Sequence, residues 1–236
     1  MKKVILSVLT LTILSSCAEM QQVANQLPNV LQTENLDIAS GLKEALNLGI
    51  TKEVSKLTAT DGFFKNEAVK ILLPTELQKV DKTLRSIGLS KLADEGLKVM
   101  NRAAEDAVKE ATPIFVDAVK GMSFSDAKSI LMGNQTAATT YLQNTTTTAL
   151  YSKFNPVIKS SFEKVGADKI WSQIITKYNS IPTVKKVNPD LTDYTTTKAL
   201  EGVFKMIAVE EKDIRTNISA RSTALLQKVF AMQDKK

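Results

Sequence analysis

The chain has 236 residues, no histidine, one cysteine and a formal net charge of +6. Without histidine there is no Ser–His triad, no Cys–His pair and no histidine-ligated metal site; a lone cysteine rules out an internal disulfide framework and a cysteine-rich zinc site. No metal and no cofactor are expected, and the 43% hydrophobic and 24% charged shares are those of a folded globular chain.

The first residues read as an address. Met1-Lys2-Lys3 is a basic start, and Val4 to Leu14 is an apolar run broken only by Ser7, Thr10 and Thr12. That run is shorter than the roughly 20 residues a membrane-spanning helix needs, and it has the form of a secretory signal. Leu14-Ser15-Ser16-Cys17 resembles a bacterial lipobox. That resemblance implies cleavage before Cys17 and a lipid on its thiol, with residues 1–16 removed as signal peptide. Ala18 stands where aspartate would mark retention at the inner membrane, which favours the periplasmic face of the outer membrane. The inner membrane's periplasmic face and a soluble periplasmic form are the alternatives.

Residues 17–35 follow as a polar, amide-rich tether, with room for a short helix near Val23 to Val30. The folded domain is expected over residues 36–236. Leu36, Ala39, Leu42, Leu46, Ile50, Val54 and Leu57 recur every three or four residues, an amphipathic helical stripe that Thr60-Asp61-Gly62 breaks. A short apolar helix is expected over Ala68–Leu73, closed by Pro74, and another over Thr75–Ile87, ended by Gly88. Ser90 caps a long helix to Ala111, and Thr112-Pro113 restarts a turn that Gly121 stops. Ser123-Phe124-Ser125-Asp126 is a capping-box variant for a helix to Met132.

Gln135 to Phe154 reads as a helix weakened by the β-branched run Thr145–Thr148. Pro156–Val165 and Ala167–Tyr178 are two more, split at Gly166. Ile181 to Pro189 reads as a loop. Thr192 or Asp193 opens a helix to Ile214, and Ser219 starts the last. No period-2 strand and no fixed-period repeat stands out. The expected fold is all-α: a single multi-helix domain of about ten helices behind a lipid anchor and tether.

Two polar pairs stand out as a candidate cluster. On the helix from Ser90, Arg102 lies opposite the apolar face and Asp106, four residues on, is placed to pair with it. On the helix from Thr192, Glu211 falls inside the apolar stripe, with Arg215 at its edge and Arg221 further along. A carboxylate facing a core needs a partner, so Glu211–Arg215 is either a structural pair or the floor of a polar pocket. Nucleotide-binding glycine loops, a serine-nucleophile elbow and calcium-loop spacing are absent from the sequence. Only four of the 31 basic residues are arginine and the lysines are scattered, which argues against nucleic acid.

Several stretches together resemble a bacterial family known as domain of unknown function 4197. They include Asp37-Ile38-Ala39-Ser40-Gly41-Leu42-Lys43-Glu44-Ala45-Leu46, Thr60-Asp61-Gly62-Phe63-Phe64 and Ala68-Val69-Lys70-Ile71-Leu72-Leu73-Pro74. Met100-Asn101-Arg102-Ala103-Ala104-Glu105-Asp106-Ala107, Phe124-Ser125-Asp126-Ala127 and Val184-Lys185-Lys186-Val187-Asn188 follow. Lys198-Ala199-Leu200-Glu201-Gly202, Glu210-Glu211-Lys212 and Ile214-Arg215 complete the resemblance, which spans roughly residues 36 to 230. Ile218 stands where relatives commonly carry proline after Asn217. The resemblance implies a secreted or lipid-anchored envelope protein and supplies no catalytic residue. The expected function is therefore a non-enzymatic binding or interaction module, membrane-held through its lipid, with an envelope protein, lipid or cell-wall component as partner. A helical carrier for a small apolar or anionic ligand and a carboxylate-dependent hydrolase are the alternatives.

Overall fold

Helical periodicity builds the molecule. The computed structural model describes residues 17–75, 78, 82, 85, 86, 88 and 90–234, apart from the side chains of 17–37, 92, 93, 174 and 177. The signal segment 1–16 and most of the helix expected over 75–87 lie outside the described residues. Among those described there are eight α-helices and no strand. They are α1 (Cys17–Thr58), α2 (Ser90–Val108), α3 (Ala111–Gly121) and α4 (Phe124–Leu131). After them come α5 (Ala137–Glu163), α6 (Ala167–Asn179), α7 (Leu191–Thr216), a 3-10 turn at Ile218–Ala220, and α8 (Ala224–Phe230).

The helical backbone of α1 runs back through the expected tether to Cys17. Its apolar stripe from Ile38 to Leu57 is buried, and it touches α2, α3, α4, α7 and α8. α5 lies against α7, α2 and α3. Leu142, Thr146, Leu150, Phe154, Ile158 and Phe162 form one buried row along α5 at four-residue spacing. Each large apolar side chain so buried contributes about 1.5–3 kcal/mol. Phe115 of α3 meets Phe204 of α7 edge to face, centroids 6.0 Å apart.

Among the described residues, which leave out most of the helix expected over 75–87, two other expected helices are not separate elements. The two helices expected on either side of Pro156 are one, α5, with the proline inside it. A mid-helix proline removes one hydrogen bond and costs about 3 kcal/mol. Phe154 and Ile158, fully buried on either side of it, hold the helix together across the break. The threonine run is helical, and its hydroxyls find partners within the helix: Thr145, Thr146 and Thr147 donate to the carbonyls of Tyr141, Leu142 and Gln143, one turn back.

Ala68–Leu73 is not a helix. There the chain passes α2, where the buried Asn101 amide accepts from the N–H of Ile71 at 2.8 Å and donates to its C=O at 2.9 Å. One side chain thus supplies the two bonds that a rung of β-sheet would supply. Asn179 treats Val187 the same way in the expected loop before α7. The last helix starts at Ala224, capped by the Thr223 hydroxyl, and Ser219 lies in the 3-10 turn that Asn217 caps. The capping box expected at Ser123 and Asp126 is present in full.

The Thr60-Asp61-Gly62-Phe63-Phe64 turn closes α1. Asp61 takes a left-handed φ of 68°. A Cβ on Gly62 would stand 2.4 Å from the carbonyl oxygen of Lys56, so no other residue fits there. The turn drives Phe63 fully into the core.

Candidate functional site

The two pairs singled out in the sequence lie in different places. Glu211 and Arg215, side chains 6% and 4% exposed, face the interior from the last two turns of α7. Arg215 Nη2 donates to Glu211 Oε1 at 2.8 Å, and Nε donates to the same oxygen at 2.9 Å. The pair then reaches in two directions. Glu211 accepts the N–H groups of Ala138 and Thr139 at 2.9 and 2.8 Å, and the Thr139 hydroxyl at 2.8 Å. Those amides belong to the first turn of α5, where orphan donors and a positive dipole end favour a carboxylate. Arg215 donates to the carbonyls of Ile130 and Leu131 at 2.9 and 3.1 Å, the last turn of α4, where a cation is favoured. One ion pair on α7 therefore caps two other helices, each with the correct sign.

Arg221 extends the joint. It donates to the C=O groups of Ile214 and Arg215, closing α7, and to both carboxylate oxygens of Asp234. The guanidinium groups of Arg215 and Arg221 both lie over the ring of Phe230, at 6.0 and 5.7 Å. The void beside this joint, lined among others by Leu42, Ile207 and Phe230, holds about 20 Å³. That is room for about one water.

Arg102 does not pair with Asp106. Its Nη1 donates to Glu105 Oε2 and its Nη2 to Asp61 Oδ1, each at 2.6 Å. Asp106, exposed, pairs with Lys109 at 2.7 Å. The reason is the α1–α2 turn, which brings Asp61 over α2 and turns Glu105 inward. Glu105 accepts the N–H groups of Phe63 and Phe64 at 3.0 and 3.3 Å, so the core anchor Phe63 is pinned by its own backbone. Asp61 is held below the usual aspartate range by its hydrogen bond to Lys65 first and by Arg102 next. Glu105 and Asn101 are the residues that the sequence reading missed. Their positions on the α2 wheel carried the signal: two polar residues four apart, together at one edge of the apolar face.

Polar groups also fix the start of α7. Asp190 caps it by accepting the N–H of Asp193. Asp193 accepts the hydroxyl of Tyr151 at 2.6 Å, which pushes that phenol up to about 12.

A groove along residues 194–205 of α7, further towards its start than the joint, was not legible in the sequence. It holds about 500 Å³ and opens to solvent between the segment Ala68–Thr75 and one face of α7. Lys70, Lys185, Lys198 and Lys205 line it, with Tyr194 and Glu201. Among its described lining residues Glu201 is the one carboxylate, and it pairs with Lys198 at 2.7 Å. Lys205 Nζ donates to the carbonyl of Ala68 at 2.8 Å, a neutral partner that leaves its charge in place. The Tyr194 hydroxyl donates to the carbonyl of Leu72 at 2.7 Å, and Leu72 itself is half exposed. Gly202 forms part of the floor because a Cβ there would stand 2.8 Å from the ring of Phe63.

Among the described residues no group of three or more histidine, cysteine, aspartate or glutamate residues could hold a metal ion, and no helix is long and apolar enough to cross a membrane. A family model described as "Protein of unknown function (DUF4197)" matches residues 32–231. No curated protein and no solved structure matches the chain.

Proposed function

The chain belongs to the DUF4197 family of proteins of unknown function, and from that premise we propose that it is a non-enzymatic interaction module, lipid-anchored through Cys17 on the periplasmic face of the bacterial outer membrane. The observation that carries the reading is the structural use of the buried ion pair on α7 and of Arg102. Three of the four polar side chains that the sequence marked as candidates are spent on the fold: Glu211 and Arg215 cap helices, and Arg102 braces a turn, while Asp106 pairs with Lys109 at the surface. The void beside the joint takes one water and not a ligand. Glycoside hydrolysis by carboxylates needs two of them flanking a cleft, and the groove offers Glu201 paired to a lysine. Contact chemistry is thus left to the surface, and the lysine-lined groove is its most developed feature.

The anchor rests on Met1-Lys2-Lys3, the apolar run to Leu14, and Leu14-Ser15-Ser16-Cys17. Acyl chains add about 0.8 kcal/mol per buried methylene, and more than one chain holds a folded domain stably at a bilayer. The test is fractionation of cells expressing the chain or Cys17→Ala, with radiolabelled palmitate. The native chain is expected to take label and sediment with outer membranes, and the variant to lose both. Unchanged sedimentation of unlabelled Cys17→Ala overturns the anchor.

A further inference from the structure

We infer that the outer face of α6 docks on an anionic phospholipid bilayer, a membrane contact separate from the acyl anchor; this rests on the interaction-module reading above and names its partner. The groove's lysines do not carry it, since Lys70 pairs with Glu67 at 3.7 Å and Lys198 with Glu201 at 2.7 Å. α6 has two apolar sides. The inner one is spent on the fold: Trp171 and Ile175 are buried, Trp171 Nε1 donates to the carbonyl of Asn188 at 3.2 Å, and Asn179 holds Val187. The outer one carries Val165, Ile170 and Ile181, which are 56%, 59% and 46% exposed. Val165 and Ile170 stand just before and four residues after the cap residue Gly166, the two positions that a hydrophobic staple brings together. Ile181 follows Ile170 by about three helical turns and so returns to the same side.

Charge selects the occupant. From Lys153 to Asp193 the chain has seven lysines and no arginine against Glu163, Asp168, Asp190 and Asp193, a surplus of three out of its net charge of +6. Three of those carboxylates are turned to the fold: Asp168 accepts the Thr192 hydroxyl, Asp190 caps α7, and Asp193 accepts the Tyr151 hydroxyl. The fourth, Glu163, faces Lys159 at 4.0 Å. Lys185 has a partner of its own and is not among the contact residues. Lys164 and Lys169 are exposed, each next in the chain to one of the exposed apolar residues, and neither makes an ion pair among the described residues. Apolar side chains flanked by lysines are what an interfacial helix offers a bilayer, the former to the acyl boundary and the latter to the phosphates. A second copy or a protein partner fits less well. Three half-exposed side chains supply at most a few hundred Å² of apolar surface, where each partner of a stable interface covers about 800 Å². A second copy would also set the same lysines against each other.

The face lies at the end of the domain away from Cys17. Gly49 of α1 abuts Glu210 and Ile214, and Phe63, past the end of α1, abuts Gly202. α7 therefore runs back along α1, with its start beyond the last turn of α1. α6 is docked on that start through Asp168 and Thr192. Acyl chains at one end and this face at the other set the long axis of the domain along the bilayer, where an acyl anchor alone leaves it free to swing.

The test uses the chain from residue 17 with Cys17→Ala, which keeps every described element and carries no lipid. Flotation reads its binding to vesicles of phosphatidylcholine with or without about one-third phosphatidylglycerol. The expected result is binding at least tenfold tighter to the anionic vesicles, lost when salt rises from roughly 50 to 300 mM. Lys164→Gln with Lys169→Gln is expected to weaken it at least tenfold, at about fivefold per lysine. Val165→Ser with Ile170→Ser is expected to weaken it at least fivefold, and both pairs should leave circular dichroism unchanged. Lys128→Gln with Lys212→Gln, exposed lysines of α4 and α7 at the other end of the domain, is expected to bind within twofold of native. The proposal is overturned by equal binding to the two vesicle types, by no binding, or by α6 variants that bind within twofold of native. It is also overturned if the Lys128 and Lys212 pair weakens binding as much as the Lys164 and Lys169 pair, or if the chain self-associates through Val165 and Ile170 and binds no vesicles. The chain tested has no acylated cysteine, so failure here and failure of the anchor are read separately.

Discussion

Glu211 and Arg215 stand one turn apart on α7, and between them they hold the start of α5 and the end of α4. The carboxylate closes the amides of Ala138 and Thr139; the guanidinium closes the carbonyls of Ile130 and Leu131. Breaking a buried pair strands a charge, at about 3–5 kcal/mol. Arg215→Met is expected to lose that much in denaturant unfolding, because it also leaves two helix-end carbonyls short of donors. Glu211→Gln keeps an acceptor and is expected to lose about 1.5–3 kcal/mol. Losses below about 1 kcal/mol in both variants would show that the joint does not hold the fold.

Asn101 makes three buried hydrogen bonds, to the N–H and C=O of Ile71 and to the C=O of Leu97. Asn101→Ala is expected to cost about 3 kcal/mol. Hydrogen exchange at the Ile71 amide should speed up in the same variant. Asn101→Asp keeps the acceptor and removes the donors, so Ile71 exchange should stay slow while global stability falls.

Gly202 lets α7 approach the ring of Phe63, where an added Cβ would stand 2.8 Å from Cε1. Gly202→Ala is expected to destabilise by about 1–3 kcal/mol through overpacking. Combining it with Phe63→Leu should recover part of the loss, a coupling that a double-mutant cycle measures directly. Strict additivity would show that the two residues are not in contact.

Acid should weaken the fold through three aspartates. Asp61 is held below its ordinary 3.8 by Lys65, Asp126 by the Ser123 hydroxyl and backbone, and Asp234 by Arg221. A depressed carboxylate contributes stability above its unfolded pKa and loses it as pH falls through the folded one. Stability is therefore expected to drop from about pH 4 downward. Lys65→Gln should move the Asp61 NMR titration up towards 3.8, and an unmoved titration would reject the assignment.

Asp168 works in the opposite sense. Burial raises it first, and Asp190 and Glu163 raise it further, against a lowering hydrogen bond from Thr192. A raised carboxylate costs stability once pH exceeds its folded value. Asp168→Asn keeps an acceptor for Thr192 and is expected to raise Tm at pH 7 and to leave it nearly unchanged at pH 3. A lower Tm at pH 7 would contradict this.

The helical stripes were legible because each depends on residues three or four apart. The burial of Leu42, Leu46, Ile50, Val54 and Leu57 and the inward position of Glu211 came straight from the wheel. What Glu211 does there was not legible, because its acceptor work is on amides 72 and 73 residues away. The same distance effect hid the true partners of Arg102: Asp61 lies 41 residues off, closer in space than the i+4 aspartate. Ala68–Leu73 misled because apolar residues also suit a buried extended chain, and its partner is a side chain of another helix. Pro156 misled for the converse reason, since the buried row of α5 outweighs one lost hydrogen bond.

The contacts of α1 have a mechanical consequence. This helix begins at Cys17 and touches α2, α3, α4, α7 and α8. A pull on its first residue, directed along its axis, loads those contacts in parallel and in shear. Rupture then requires the whole buried stripe from Ile38 to Leu57 to slip at once, where a transverse pull would peel it one turn at a time. Axial tension at the amino end is thus the direction in which the domain is hardest to unravel.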